Sequence, residues 1–400
     1  MTNFYNGSFR ESVIFVKNNI MTIRYYILGL ALCLMSCKSQ KEIVNYVGSP
    51  DEVLSGILEE EVQSTDAAVA GVSLTVISPQ LGIDFSGASG YDSMIKDHVL
   101  TPDQPFRIAS LTKTFVATSI LRLREKGLVT IDDPITNYIS KEHITILENG
   151  GYTPSKITVK QCMMHTSGLF DYAEGNMDYI NEASKNPNKR WTRTEQIQWA
   201  MDHGKPQGTP GENYHYSDTG YVLLGEIIEK QTGKGLAEGI RELLKFDQLG
   251  MSSTWLESLE DRPNGLPTSV RRYMDTLDAS DWDNSVDLYG GGGLQSTTRD
   301  LAVYLQALFS DKIYEKQETL PVMLLKSEFS GDPLTEYRLG FGYIKGKSGI
   351  EAYLHSGFWG TLFIHFPAYN CSIAMNHTND ESNGALQKVI NYVQWLAKNQ

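Results

Sequence analysis

Ser110-Leu111-Thr112-Lys113 sets a hydroxyl and an amine three residues apart, at the start of a stretch that carries Phe115, Val116, Ile120, Leu121 and Leu123 and stops at Gly127. On a helix that spacing returns both side chains to one face, within reach of each other. A serine becomes a nucleophile when a neighbour accepts its proton, and a desolvated lysine of lowered pKa is one such neighbour. The helix N-terminus favours the negative charge that develops during attack. Ser93-Met94-Ile95-Lys96 has the same spacing but stands in a polar loop with no apolar face after it. Two further stretches carry reactive side chains. Pro210-Gly211 leads into Tyr214-His215-Tyr216-Ser217-Asp218 just before a helix, and His355-Ser356-Gly357 ends a strand and is followed by Phe358-Trp359-Gly360.

Other chemistries find no pattern. The remaining histidines show neither His-Glu-x-x-His nor paired ligand spacing, so no metal or other cofactor is expected. Gly290 to Gly293 is followed by no Lys-Ser/Thr and reads as a tight loop rather than a phosphate cradle. His165 and Ser167 read as holding a turn. No Gly-x-Ser-x-Gly elbow occurs.

The elements that must position these residues are legible from periodicity. Ser49-Pro50-Asp51-Glu52 is a capping box with Pro at the first helical position, followed by Leu54, Ile57, Leu58 and Val62 on one face. Val72, Leu74 and Val76 alternate with Ser73 and Thr75, and after a turn at Pro79–Gly82 the chain returns through Ile83-Asp84-Phe85 as a hairpin. From about 130 to 335 the pattern is mainly helical, at 158–164, 194–203, 217–232, 235–245 and 298–309. The polar stretch from Phe170 to Trp191 reads as an irregular excursion whose Tyr172, Tyr179 and Trp191 either line a cleft or anchor a loop. Strand character resumes at Arg338–Ile344, Ala352–His355, Thr361–Pro367 and Cys371–Asn376, and a final helix covers Ala385–Lys398. Strands at both ends around a helical insertion imply one sheet built from the two termini. The expected organisation is 37–130 with 336–400 as an α/β sheet subdomain and 131–335 as a helical one, together a single catalytic domain.

The order Ser-x-x-Lys, Tyr-Ser-x, then a basic residue before Ser-Gly resembles serine hydrolases of the class C β-lactamase and penicillin-binding group. Segments at Lys126-Gly127-Leu128 through Asp132-Asp133-Pro134, Ile157 through Leu169, Pro210-Gly211, Leu223 through Ile228, and Gly292-Gly293-Leu294 through Arg299-Asp300-Leu301 agree, so the likeness runs from about 52 to 395. The resemblance implies an α/β (α+β) fold of the β-lactamase/transpeptidase kind, with an antiparallel sheet flanked by helices. It implies that Ser110 forms an acyl-enzyme, that Lys113 and Tyr216 share its proton, and that the backbone N–H groups of Ser110 and Phe358 form an oxyanion hole. Asp218, His355, Ser356, Gly357 and Trp359 would contact substrate, and a tyrosine beside cations would have its pKa pulled down and serve as base.

Two departures from that group bear on substrate. His355-Ser356-Gly357 replaces the Lys-Thr-Gly of class C β-lactamases and looks more like D-alanyl-D-alanine carboxypeptidases and related esterases or amidases. A histidine mostly neutral at pH 7 is no permanent anchor for a β-lactam carboxylate. Asp218 stands where the family often has Asn; an ionised carboxylate accepts hydrogen bonds but cannot donate one. The expected substrates are D-amino-acid-containing peptides or small esters and amides. A β-lactamase is the nearest alternative, and a catalytically silent sensor or binding lipoprotein is the alternative from another class.

Composition narrows the partners. In 400 residues there are 35 Lys plus Arg against 48 Asp plus Glu, a net charge of −13 with no basic cluster, which leaves no electrostatic footprint for nucleic acid. Hydrophobic residues make up 41% and charged residues 21%, so neither disorder nor a multi-span membrane protein fits. From Met21, Arg24 precedes the eleven-residue apolar run Tyr25–Met35, the length of a signal-peptide core rather than a comfortable membrane span. Leu34-Met35-Ser36-Cys37 resembles a bacterial lipoprotein cleavage site, which implies lipidation of Cys37, residues 1–36 as a leader with Met21 as an alternative start, and a place in the cell envelope, periplasmic or on the outer membrane. A plain secretory signal or a single N-terminal anchor is the other reading. Cys162 and Cys371, in apolar stretches, read as isolated buried thiols.

Overall fold

The computed structural model describes residues 45–327, 336–346 and 349–400. The expected leader and Cys37 lie outside the described residues. Ser49 accepts a hydrogen bond from the Glu52 N–H at 3.3 Å while its own N–H donates to Glu52 Oε2 at 2.7 Å. This capping box opens helix α1 (Pro50–Gln63), which buries Leu54, Ile57 and Leu58. Strands β1 (Gly71–Ser78) and β2 (Ile83–Gly90) form the expected antiparallel hairpin, with Val76 opposite Phe85.

Three helices follow that matter here: α2 (Thr112–Glu125), α3 (Asp218–Thr232) and α4 (Thr298–Phe309). The chain then runs through β3 (Glu336–Tyr337), β4 (Gly342–Lys345), β5 (Glu351–Gly357), β6 (Thr361–Phe366) and β7 (Cys371–His377), and ends in α5 (Ala385–Asn399). The strands make one antiparallel seven-stranded sheet in the order β2-β1-β7-β6-β5-β4-β3. β1 pairs with β7, Val72 opposite His377, so the two ends of the chain share this sheet. The fold class read from the sequence therefore holds.

Period-two alternation explains how both faces are covered. Val72, Leu74 and Val76 join Ile373 and Met375 beneath α1 and α5. Thr75, on the opposite face, meets Thr298 at the start of α4 at 2.9 Å between hydroxyls. Its alternation thus separates two buried faces, not an inside from an outside. Cys162 and Cys371 are buried free thiols.

Two elements differ from the sequence expectation. Arg338–Ile344 is not one strand: β3 and β4 pair across a turn, Tyr337 opposite Gly342, with the Arg338 N–H bonded to Phe341 O at 2.6 Å. Gly340 in that turn has φ of +88°, and a Cβ there would stand 2.5 Å from that of Ala117 on α2. The stretch from Phe170 to Trp191 holds a helix, Asp178–Lys185. Tyr172, Tyr179 and Trp191 are core residues rather than a cleft lining, with centroids 4.8 and 4.5 Å apart in successive pairs. The Tyr179 hydroxyl donates to Val286 O at 3.1 Å, while the buried Tyr172 hydroxyl has no hydrogen-bond partner among the described residues.

The junction of the termini carries a pH-dependent element. Glu61 of α1, fully buried, accepts from the Ser382 hydroxyl at 2.7 Å, the Asn383 and Ala385 N–H groups at 2.8 Å each, and His377 Nε2 at 3.0 Å. It thereby caps α5, whose start has no side-chain cap of its own. Burial pushes this carboxyl up, but the bonds from His377, Ser382 and Asn383 outweigh it and hold it at about 2, against 4.5 unfolded. A depressed folded-state value contributes stability above the unfolded pKa and loses it as the pH falls through the folded one. About 3 kcal/mol is expected to vanish between roughly pH 4.5 and 2. Urea titrations across that range should show the loss in the native protein and a flatter, lower profile in Glu61→Gln; identical profiles would contradict it.

Candidate active site

Ser110 sits in a single 3-10 turn, Ala109–Leu111, that leads directly into α2. Ala109 has φ of +46°, a left-handed conformation costly for a residue with a Cβ. Its neighbourhood holds it there. The Ile108 N–H donates to Leu294 O at 3.0 Å, and Ile108 O accepts from the Thr361 hydroxyl of β6 at 3.2 Å. Gly357, the last residue of β5, lies so close that a Cβ would come 2.5 Å from Ile108 O. The missing side chain lets β5 close against the strand end before Ser110 and brings Phe358 and Trp359 to the same cleft.

Lys113, one turn into α2, has no exposed surface. Its ammonium has three N–H donors and meets three acceptors: Ser110 Oγ at 2.8 Å, Gly291 O at 2.8 Å, and the Asp218 carboxylate in a buried ion pair. Gly291 belongs to the Gly290–Gly293 loop, whose backbone is therefore part of the site. Asp218 opens α3, where a helix N-terminus favours a carboxylate. The Ser93 decoy behaves differently, donating to Asp97 at 2.5 Å.

Tyr216 comes in on the loop before α3, and its hydroxyl donates to Ser110 Oγ at 2.9 Å. The His165 ring stacks on it with centroids 4.1 Å apart, and His165 Nδ1 accepts the Ser217 N–H at 3.0 Å. His165 thus holds the approach of Tyr216 as well as a turn. The expectation of a lowered Tyr216 pKa is corrected: burial, then the negative charge of Asp218, push it well above its usual value of 10. The nearby ammonium is spent on Asp218, so Tyr216 is a neutral phenol in the resting site.

His355 is corrected too. Its Nδ1–H donates to Ser356 O at 2.8 Å, which leaves Nε2 to accept the Tyr337 hydroxyl at 3.0 Å. Burial, followed by repulsion from Lys113, lowers its pKa to about 3. Both ring nitrogens are engaged in the protein and the ring is neutral, so it offers nothing to a substrate carboxylate.

The cleft beside Ser110 is lined by Phe358 and Trp359, as expected, and by Asp218, but not by His355, Ser356 or Gly357. It also takes in Glu174, Asp287 and Trp282, which sequence reasoning did not single out. Glu174 lies in the polar Phe170–Trp191 stretch and Asp287 in a short 3-10 turn, and isolated acids in polar runs carry no signal of convergence. Among the described residues one set, Asp92, Asp97 and His98, groups metal-type ligand atoms within 4.8 Å. None of the three lines this cleft, and Gln104 already donates to Asp92 at 2.9 Å.

Ser110 is thus bonded to a lysine one turn along its helix and to a tyrosine from the loop before a second helix, and the Beta-lactamase family model matches residues 59–397. The chain belongs to the β-lactamase family. Among its relatives, Penicillin-binding protein 4* of Bacillus subtilis is 28% identical over 73% of this chain and 65% of that protein. Teichoic acid D-alanine hydrolase of Staphylococcus aureus is 26% identical over 70% of this chain and 64% of its own length. The chain thus spans just under two thirds of either curated relative. D-amino acid amidase from Ochrobactrum anthropi, solved with L-phenylalanine amide, superposes with a TM-score of 0.69 at 28% identity, covering 87% of this chain and 98% of that one. Family members named for different activities share this fold, so substrate choice must be argued from the cleft of this chain.

Proposed function

We propose that this protein is a serine hydrolase that cleaves amide or ester bonds through a Ser110 acyl-enzyme, acting on D-amino-acid-containing peptides or small esters. The observation that carries the proposal is the convergence of Lys113 Nζ and Tyr216 Oη on Ser110 Oγ at 2.8 and 2.9 Å. The D-alanine and D-amino acid substrates named for two of the relatives support the choice of substrate.

With Tyr216 neutral and Lys113 paired, the base is the buried pair rather than one residue. Lys113 gives a proton to Asp218 and takes the Ser110 proton in its place as Oγ adds to the carbonyl. Tyr216 then protonates the leaving nitrogen or oxygen, Lys113 restores the phenol, and Asp218 returns its proton to Lys113. The N–H groups of Ser110 and Phe358 would hold the oxyanion, and water resolves the acyl-enzyme by the same relay. Tyr216→Phe removes the proton donor and should lower kcat on amides and alkyl esters, whose leaving groups need that proton, about a hundredfold or more, the scale of a lost general acid, with little change in KM. Unchanged rates on every ester cleaved would remove Tyr216 from the mechanism.

The β-lactamase alternative is weaker. Among the described residues lining the cleft there is no Lys, Arg or His to meet a β-lactam carboxylate, and three are acidic.

We further propose that the chain is exported and lipidated on Cys37, which the Ser36-Cys37 junction after an apolar run supports. Among the described residues no helix is long and apolar enough to cross a membrane. Radiolabelled palmitate should enter the chain in cells and be lost in Cys37→Ala; equal labelling of both would refute the anchor.

A further inference from the structure

His165 holds the chain on both sides of Tyr216. It is buried and stands just beyond the short helix Val159–Met163, with φ of +58°. Its carbonyl accepts the His215 N–H at 2.8 Å, and its Nδ1 accepts the Ser217 N–H at 3.0 Å. The residue between those two donors is Tyr216 itself. The imidazole also stacks on the Tyr216 ring, 29° from parallel with centroids 4.1 Å apart. Tyr337 meets the same imidazole edge-on at 4.6 Å, and Tyr221 packs at 5.1 Å.

This grip requires one form of the ring. An acceptor at Nδ1 puts the proton on Nε2 and leaves the imidazole neutral. Burial, and then the charge of Lys113, hold its pKa well below the usual 6.5, in keeping with that form. Among the described residues His165 makes no hydrogen bond to Ser110 or Lys113, so its effect on the reaction passes through Tyr216. The Tyr216 hydroxyl reaches the site from a loop, on a single hydrogen bond to Ser110 Oγ. A proton donor displaced by an ångström loses about a hundredfold in rate, so such a phenol is aimed only as well as its backbone and ring are held.

We infer that His165 is a positioning residue for the proton donor: by holding the chain before and after Tyr216 and stacking on its ring, it aims the phenol at the leaving atom. The inference rests on the acyl-enzyme reading above and adds a residue outside Ser110, Lys113 and Tyr216. In the step it serves, the bond from the carbonyl carbon to the leaving oxygen breaks, that oxygen takes the Tyr216 proton, and Lys113 reprotonates the phenolate. An alkoxide needs that proton to leave. A p-nitrophenolate, the anion of a much stronger acid, does not.

The test compares ethyl butyrate with p-nitrophenyl butyrate, which share one acyl group, on the full chain. Wild type, His165→Phe, His165→Asn and Tyr216→Phe are measured, with fluorophosphonate labelling of Ser110 as the check on a folded site. Phe keeps a ring to stack and loses the acceptor; Asn keeps an acceptor, tolerates the left-handed backbone and loses the ring. Each His165 variant that labels should lose about ten- to a hundredfold in kcat/KM on the ethyl ester and less than about threefold on the p-nitrophenyl ester. The double variant His165→Phe/Tyr216→Phe should fall no further than Tyr216→Phe alone. A labelling His165 variant with equal losses on the two esters, or with none, overturns the inference, as do additive losses in the double variant. Loss of labelling in both His165 variants makes the residue structural and overturns it too. If Tyr216→Phe is selective for the ethyl ester while the His165 variants are not, the proton-donor reading stands without the inference. A Tyr216→Phe enzyme with no such selectivity, or a wild type that cleaves neither ester, overturns both.

Discussion

Lys113→Met is expected to do two things at once: lower kcat/KM by about ten-thousand-fold and destabilise the fold by about 3–5 kcal/mol. The catalytic loss follows from removing the group that shuttles the Ser110 proton. The stability loss follows from what is left behind. Asp218, 3% exposed, would be stranded without its cation, beside Asp171 and Asp287, whose carboxyls burial and Asp218 already push upward. Breaking one side of a buried pair costs far more than the pair contributes, because the other charge remains desolvated. The double variant Lys113→Met/Asp218→Asn should therefore recover most of the stability and none of the activity. Urea denaturation of the three proteins separates the effects; a single variant as stable as wild type would show that Asp218 carries no buried charge.

Ser110→Ala is expected to show the opposite division. The nucleophile is gone, and residues that act as one unit each abolish most of the rate when removed, so kcat should fall by at least about ten-thousand-fold. Stability should change by no more than about 1 kcal/mol, since the Lys113 ammonium keeps Asp218 and Gly291 and the Tyr216 phenol loses a single hydrogen bond. Calorimetry beside ester hydrolysis reads both. A large loss of stability with modest loss of rate would make Ser110 structural.

These expectations draw on features that were unevenly visible in the sequence. Ser110, Lys113 and the Ser49 capping box were legible because each depends on spacing within one helical turn, where i and i+3 side chains share a face. The sheet from both termini was legible because Val72, Leu74 and Val76 and the Cys371–Asn376 run alternate with period two. The charge state of Tyr216 was not, because it depends on burial and on Asp218 having already claimed the nearby ammonium. Nor was the locking of His355, whose partner Tyr337 stands eighteen residues away on another strand and cannot be inferred from periodicity. Glu174 and Asp287 are more than a hundred residues apart and line one cleft, Glu174 from a stretch whose polar composition disguised the buried Tyr172, Tyr179 and Trp191. Local rules thus reach the nucleophile and its lysine. The electrostatics of the cleft arise from long-range contacts.

The most direct test of Ser110 as the nucleophile is intact mass of the purified chain, residues 38–400, after brief exposure to a fluorophosphonate, beside Ser110→Ala treated in the same way. A single adduct is expected on wild type, mapped to Ser110 by peptide sequencing, and none on the variant. An unmodified wild type, or an adduct that persists in Ser110→Ala, would contradict it.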